Sequence, residues 1–207
     1  MNREIKAIFF DVDGTLFSHK SNDVPPSTRR ALAMLRAKGV KTVVATGRQM
    51  VELEKLPVSS MRFDGYLTLN GDLLLDENKK MYAGTPIDKG EMEVIASIFS
   101  AKKIPFVLVG ERARYINFVN DTVIRTQEED NGSIPETGTY GGEDVYQVLA
   151  FVTEKQKAVL DGLLDECSIM SWNDTGIDII PRGGGKTAGI HKFMEQYGIS
   201  QIGRAHV

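Results

Sequence analysis

The stretch "FFDVDGTLF", Phe9–Phe17, places two carboxylates, Asp11 and Asp13, directly behind an apolar run and ahead of a glycine. The apolar residues of "KAIFF" predict a short buried strand, so both acids follow its carboxyl end. Ligands bind at the carboxyl ends of strands in parallel sheets. Two like charges this close repel unless a cation holds them, and Mg²⁺ prefers oxygen ligands. A plain turn is the alternative, because Asp and Gly are common turn residues.

The residues that follow alternate between helix and strand patterns. "PPSTRRALAMLRAKG" predicts a helix that has proline at its start and ends at Gly39, and "VKTVVAT" predicts a second strand. Strand, helix, strand units are parallel and right-handed almost by rule, and "YLTL" continues the sheet after a short helix from about residue 50 to 56. The predicted fold class is therefore α/β, with a doubly wound, Rossmann-like parallel core sheet.

The middle of the sequence predicts a different, α+β domain. Asn70-Gly71 favours a hairpin, and a capping pattern predicts a helix that starts at Asp88. The polar segment "RTQEEDNGSIPETGTYGGED" predicts a loop. Strands are predicted at "PFVLV", "RYINFV", "VYQVLAFV", "SIMSW" and "GIDIIP", and a helix at "TEKQKAVLDGLLDE". We expect a core domain over 1–82 and 181–207, and an inserted cap domain over 83–180.

Composition excludes several classes of protein. The chain has 207 residues, of which 42% are hydrophobic and 26% charged, as expected for one large or two small globular domains. A net charge of −3 with interspersed signs gives no basic stripe, so nucleic acid is not an expected partner. No apolar run approaches the ~18 residues that cross a bilayer, so no membrane partner is expected. The single cysteine, Cys167, cannot form an internal disulfide, and we expect a cytoplasmic location.

Thr46 and Gly47 in "VVATGR" follow the second predicted strand directly. A hydroxyl and a backbone N–H at this position can bind a phosphate oxygen. The alternative is that Thr46 caps the helix that follows.

Lys186 in "GGGKT" is a single cation on a glycine-rich turn that leads into a helix. A nucleotide-binding P-loop needs glycine five residues before Gly185, and this sequence has Ile180 there. Lys186 is better placed to neutralise a nucleophile and a bound phosphate together. A solvated lysine at a helix start is the alternative, although a positive charge there opposes the helix dipole.

The three motifs in this order, with a long insertion between the second and the third, resemble the haloacid dehalogenase superfamily of phosphatases. The resemblance covers most of the chain and is closest to the Cof-type sugar-phosphate phosphatases, which have a type IIB α/β cap domain. It implies a Mg²⁺-dependent phosphohydrolase that acts on small phosphorylated metabolites.

The resemblance also implies roles for individual residues. Asp11 would be the nucleophile that forms an aspartyl-phosphate, and Asp13 the general acid and base. Asp11 and the backbone carbonyl of Asp13 would bind magnesium. Thr46 and Lys186 would bind the transferring phosphate. The substrate would be bound by Gly47, Arg48 and Asn70. For Asn70 the hairpin turn remains the alternative role.

The end of the sequence departs from the family. After the lysine helix, members carry an acidic stretch of the form Gly-Asp-x-x-x-Asp that supplies further magnesium ligands, whereas here "YGISQIGRAHV" contains no carboxylate. Glu195, within the predicted helix, would be a weak substitute. We therefore expect a shortened chain whose activity is in doubt. Without neighbours the edge of the first strand would be exposed, and we expect two copies to associate through it.

Two other functions remain open. A signalling receiver module also uses an Asp cluster, magnesium, a Thr and a Lys, but receivers are much shorter and carry the phosphoacceptor on a later strand. A non-catalytic binding or interaction protein on a phosphatase-like fold is favoured by the missing acidic stretch alone.

Overall fold

The computed structural model describes residues 5–129 and 133–200, and the chain divides into two compact units. Unit 1 comprises residues 1–84 and 185–207, and unit 2 comprises residues 85–184. The sequence predicted these boundaries after residues 82 and 180. The closing segment "IGRAHV", on which the expectation of a shortened chain rests, lies outside the described residues. Across 5–129 and 133–200, no helix is long and apolar enough to cross a membrane.

Unit 1 is built on a five-stranded sheet in which sequence order is also spatial order. The first three strands are parallel and the last two are added antiparallel. This arrangement confirms the predicted α/β class with a Rossmann-like parallel core. The strands are β1 (Ala7–Phe10), β2 (Lys41–Ala45), β3 (Gly65–Thr68), β4 (Leu73–Asp76) and β5 (Met81–Gly84).

Among the described residues of unit 1, three α-helices connect or cover these strands: α1 (Pro26–Ala37), α2 (Met50–Leu53) and α6 (Lys186–Gln196). The packing of α6 is fixed by Phe193, which is fully buried against Val43, Leu67 and Leu74. A Cβ atom on Gly65 would lie 2.7 Å from the Phe193 ring, so β3 needs glycine at this position. α6 therefore packs directly on the sheet, with Lys186 as its first residue.

Unit 2 contains a second five-stranded sheet, entirely antiparallel, in the order β7-β6-β8-β10-β9. Its strands are β6 (Phe106–Val109), β7 (Arg114–Ile116), β8 (Gln147–Phe151), β9 (Cys167–Ser171) and β10 (Gly176–Pro181), and its helices are α3 (Lys89–Ala101), α4 (Asp121–Glu129) and α5 (Glu154–Asp161). Asp88 caps α3 as predicted, accepting a hydrogen bond of 2.7 Å from the Gly90 N–H.

The loop predicted from residue 125 onward is wrong at its start, because α4 extends to Glu129. The Asn120 side chain accepts a hydrogen bond of 3.0 Å from the Val123 N–H, which satisfies a donor at the beginning of this helix. Val123 and Thr126 are buried on one face of α4. A cap and two buried side chains thus outweigh the polar composition of the segment.

β1 is an edge strand of the sheet as far as the chain is described, since it pairs with β2 and no other strand is assigned beside it. All four of its residues are half-buried. Edge strands present unpaired backbone groups that another chain can pair with. Association of two copies through this edge stays a prediction.

Candidate active site

The carboxyl ends of β1, β2 and β3 meet at one edge of the unit 1 sheet. Phe10 pairs with Val44, and Ala45 pairs with Leu67, so the residues that follow these strands are neighbours. Asp11 and Asp13 come after β1, Thr46 after β2, and Asn70 after β3. Residues far apart in sequence are brought together here.

Asp11 is paired with Lys186 across 175 residues of sequence. The Lys186 ammonium donates a hydrogen bond of 2.8 Å from Nζ to Asp11 Oδ1. The Asp11 side chain is nevertheless 45% exposed and that of Lys186 is 40% exposed. A carboxylate that is neutralised and still open to solvent can meet a reactant.

Asp13 is held by two basic side chains. Arg48 donates from Nε to Asp13 Oδ2 and from Nη2 to Oδ1, both at 2.8 Å, which is the bidentate geometry favoured by guanidinium and carboxylate. His19 Nε2 lies 2.9 Å from Oδ1. The hydrogen bonds from Arg48 hold the pKa of Asp13 below its ordinary value, although partial burial opposes this shift and His19 adds to it. Asp13 is therefore ionised in this arrangement.

Thr46 does not cap the following helix, because α2 begins after Gln49. The Thr46 side chain is buried, and its Oγ1 accepts a hydrogen bond of 3.2 Å from the backbone N–H of Arg48. The backbone carbonyl of Thr46 accepts from the Asn70 N–H at 3.0 Å. Thr46 thus links the turn after β2 to the turn after β3.

Asn70 occupies a 3₁₀ turn, Leu69–Gly71, that joins the antiparallel strands β3 and β4. The predicted hairpin connection therefore exists, and the same turn carries Asn70 to the strand ends. Leu69 and Asn70 both adopt positive φ, at 49° and 58°. This backbone conformation is rare for residues other than Gly, Asn and Asp. A Cβ atom on Gly47 would lie 3.1 Å from Asn70 Oδ1, so the Asn70 side chain leaves little room for a side chain at residue 47.

Asp72 is a residue of this region that the sequence did not single out. It is 1% exposed, and its Oδ1 accepts a hydrogen bond of 3.2 Å from the Gly185 N–H. Burial raises the pKa of Asp72 to about 6, while the Gly185 N–H and the charge of Lys192 oppose the rise. In the sequence, Asp72 directly precedes the apolar run "LLL", and this position is the feature that could have indicated a buried acid.

The sequence pattern of one family matches residues 8–203 of the chain, nearly its whole length; the family is described as haloacid dehalogenase-like hydrolase. The chain belongs to the haloacid dehalogenase-like hydrolases. The superfamily predicted from the three motifs is thus confirmed, and the protein is an enzyme of the hydrolase class.

Individual members of the family are similar over most of this chain. "Putative phosphatase YkrA" of Bacillus subtilis strain 168 is 27% identical over 197 residues, which cover 92% of this chain and 74% of that protein. The subclass IIB sugar phosphatase BT4131 is 28% identical with a TM-score of 0.76, over 94% of this chain and 77% of that one. BT1666 from Bacteroides thetaiotaomicron has a TM-score of 0.84 at 22% identity, over 95% of this chain and 74% of that one, and shows the shared fold.

The donors at the end of β1 fit a magnesium ion held only in part by protein. Among the described contacts, neither the second carboxylate oxygen of Asp11 nor the backbone carbonyl of Asp13 accepts a hydrogen bond. In the described part of the chain, no three His, Cys, Asp or Glu side chains form a group that could hold a metal. Mg²⁺ commonly takes one or two carboxylates and completes its six ligands with water and phosphate oxygens. These two oxygens suit that mode of binding.

Proposed function

We propose that this hydrolase is a magnesium-dependent phosphatase of small phosphorylated metabolites, of the sugar phosphate class, that works through an aspartyl-phosphate on Asp11. The observation that carries the proposal is the 2.8 Å contact between Lys186 Nζ and Asp11 Oδ1 at the end of β1. A carboxylate attacks a phosphate dianion poorly because like charges repel, and a fixed ammonium reduces that repulsion. The substrate class is supported by the similarity to a subclass IIB sugar phosphatase.

In the first step, a carboxylate oxygen of Asp11 attacks phosphorus, and the bond between phosphorus and the leaving oxygen breaks. Asp13, which must be protonated for this step, gives its proton to that leaving oxygen, so the product leaves as an alcohol. Lys186 and the Thr46 hydroxyl would bind phosphate oxygens during this transfer, together with the backbone at Gly47. The product of the step is an acyl-phosphate on Asp11.

In the second step, water attacks phosphorus and the bond from phosphorus to the Asp11 oxygen breaks. Asp13, now ionised, accepts the proton of the attacking water. Inorganic phosphate leaves, Asp11 is again a free carboxylate, and Asp13 again carries the proton with which the first step began. One residue thus serves as acid and then as base.

Arg48 determines which of these roles Asp13 can fill. While Arg48 holds Asp13, the lowered pKa suits the base of the second step and opposes the acid of the first. A bound phosphate dianion offers the same guanidinium a competing bidentate partner. We therefore assign Arg48 to the substrate in the bound state, where its departure would let Asp13 hold a proton.

Two further assignments belong to this proposal. The second Asp11 oxygen and the Asp13 carbonyl would hold Mg²⁺, which when bound would supply positive charge to the phosphate oxygens. Unit 2 enters and leaves the chain within unit 1, as an inserted domain does. We assign it the role of a cap that selects substrate and excludes water.

The test is phosphate release from p-nitrophenyl phosphate and a panel of sugar phosphates, with and without Mg²⁺. Asp11→Asn should reduce turnover to background because a carboxamide cannot form the acyl-phosphate. Asp23→Asn is the matched control: Asp23 is an exposed carboxylate of unit 1 paired with Arg29. Wild-type turnover in Asp11→Asn would overturn the covalent scheme.

A second candidate is a non-catalytic binding protein on the same fold. It is favoured by the lack of a three-ligand acidic group among the described residues. Orthovanadate separates the two functions, since a phosphatase of this mechanism binds it in a Mg²⁺-dependent way. No turnover on any substrate together with no vanadate binding would favour the second candidate.

A further inference from the structure

Asp72 connects the turn after β3 to the first residues of α6. The one described hydrogen bond of its side chain, 3.2 Å long, comes from the backbone N–H of Gly185, the residue before Lys186. Gly185 caps α6 and has no side chain that could satisfy the free N–H groups of the first turn. The Asp72 carboxylate therefore serves this helix start from 113 residues away in sequence.

The backbone of the turn also lies directly against α6. A Cβ atom on Gly71 would lie 2.9 Å from the Gly185 carbonyl oxygen and 3.1 Å from Lys186 Cα. A Cβ atom on Gly189 would lie 2.7 Å from the Gly71 carbonyl oxygen. With no side chains between them, the two segments have little freedom to move independently, so a displacement of the turn would also displace the start of α6.

The environment of Asp72 is unfavourable for a carboxylate. Asp72 Oδ2 is buried and has no hydrogen-bond partner among the described residues. Burial favours the neutral form of the Asp72 carboxyl. The Gly185 N–H and the Lys192 ammonium favour its ionised form. A buried charge with one unpaired oxygen destabilises a fold, and proteins retain such a cost where the position serves function.

We propose that Asp72 is a positioning residue for Lys186: through Gly185 it fixes the start of α6, and so holds the Lys186 ammonium against Asp11. Asp72 itself takes no part in phosphoryl transfer. The inference rests on the proposed function insofar as Lys186 binds the transferring phosphate. Displacing a catalytic group by about 1 Å can reduce the rate about a hundredfold, so a residue that sets this distance affects the reaction strongly.

The first experiment measures kcat/KM for p-nitrophenyl phosphate in a double-mutant cycle with Lys186. Asp72→Ala should reduce kcat/KM about 10–100-fold, and Asp72→Asn, which keeps an oxygen acceptor for Gly185, should stay within about threefold of wild type. In a Lys186→Ala background, Asp72→Ala should change kcat/KM less than about twofold, because the group it positions is gone. An equal loss in both backgrounds would overturn the proposal, since a general structural effect does not depend on Lys186.

The matched control is Asp76→Ala. Asp76 ends the same strand, β4, but its Oδ1 accepts from the N–H groups of Asn78 and Lys80 in the next turn and not from the first residues of α6. Asp76→Ala should leave kcat/KM unchanged. A loss as large as that of Asp72→Ala would also overturn the proposal.

The second experiment does not depend on turnover. Hydrogen exchange of the Gly185 amide in the free 207-residue chain should be at least about tenfold faster in Asp72→Ala than in wild type or Asp72→Asn. Unchanged exchange would overturn the proposal even if the chain is an active phosphatase. Accelerated exchange in a chain without phosphatase activity would instead support the contact to α6 and leave the proposed function as the part that failed.

Discussion

Two sites in unit 1 hold carboxylates in opposite ways. At the end of β1, Asp11 and Asp13 have side chains 45% and 36% exposed, and each is paired at 2.8 Å with a cation, Lys186 or Arg48. In the turn after β3, Asp72 is 1% exposed and receives one hydrogen bond from a neutral amide. The first site keeps its charges in contact with solvent and cations, whereas the second buries a charge that is only half satisfied.

The difference shows in the directions of the pKa shifts. The pKa of Asp13 is lowered because the bonds from Arg48 outweigh partial burial, and the pKa of Asp72 is raised because burial outweighs the Gly185 N–H. Charges that meet a reactant must remain reachable, so exposure is consistent with a chemical role. A buried charge cannot meet a reactant, and its contribution has to pass through the groups that it holds.

Removing the cation of the exposed site should have the largest effect. Lys186→Ala should reduce kcat/KM about 10²–10³-fold, the effect typical of removing one hydrogen-bond donor that stabilises a transition state. Steady-state kinetics with p-nitrophenyl phosphate measure this effect. Lys38→Ala, which removes an exposed lysine at the end of α1, is the control and should leave kcat/KM unchanged. A loss below about threefold in Lys186→Ala would mean that Lys186 is only a solvated lysine.

The buried site should be revealed by the pH dependence of stability. The pKa of Asp72 is about 6 in the folded chain against 3.8 ordinarily, so between these values the folded state binds a proton that the unfolded state has lost. The contribution of Asp72 to the free energy of unfolding should therefore fall by about 2 kcal/mol as pH rises from 4 to 7, at about 1.4 kcal/mol per pKa unit.

Asp72→Asn tests this fall, because an amide does not titrate. The stability of Asp72→Asn minus that of wild type should rise by about 2 kcal/mol between pH 4 and pH 7, as measured by urea unfolding at each pH. Asp72→Ser, equally uncharged, should show the same rise. A difference that stays constant with pH would show that Asp72 is as well solvated as the acids after β1.

The exposed site was predictable from sequence and the buried one was not. "DVDGT", "ATGR" and "GGGKT" follow or precede regular elements, and the parallel pairing rule places strand ends at one edge. Asp72 follows Asn-Gly, which predicts an exposed hairpin. Its burial depends on Gly71 and Gly189 bringing α6 against the turn, a contact between segments more than a hundred residues apart.

The fold shows the same division between local and distant causes. The start of α3 was predictable because Asp88 and its partner Gly90 are close neighbours in sequence. The start of α4 carried a comparable local signal in Asn120, but the polar residues after it favoured a loop. α4 is stabilised by the burial of Val123, which depends on the fold of unit 2. The sequence around Val123 has no periodic apolar pattern that would predict this burial.

Changing the partner of Asp13 should have a smaller effect than either of the first two changes. Arg48→Ala removes the main cause of the lowered pKa, so the pKa of Asp13 should rise toward its ordinary value. Carbon-13 NMR titration of the Asp13 carboxyl measures this rise. If Arg48 also binds substrate, KM for a phosphate ester should increase about tenfold, worth about 1.4 kcal/mol. An unchanged Asp13 titration would show that the bidentate contact does not persist in solution.

The smallest effect is expected from His19, the other partner of Asp13. Its ring nitrogen lies 2.9 Å from Asp13 Oδ1, but the side chain is 62% exposed, and exposed pairs of this kind contribute about 0–1 kcal/mol. His19→Ala should therefore raise the pKa of Asp13 less than Arg48→Ala does, in the same NMR titration. Because the His19 contribution is screened by solvent, 0.5 M salt should remove most of the difference between His19→Ala and wild type, but little of the Arg48 effect. A His19→Ala shift equal to that of Arg48→Ala would mean that proximity alone, and not bidentate geometry and partial burial, sets the charge state of Asp13.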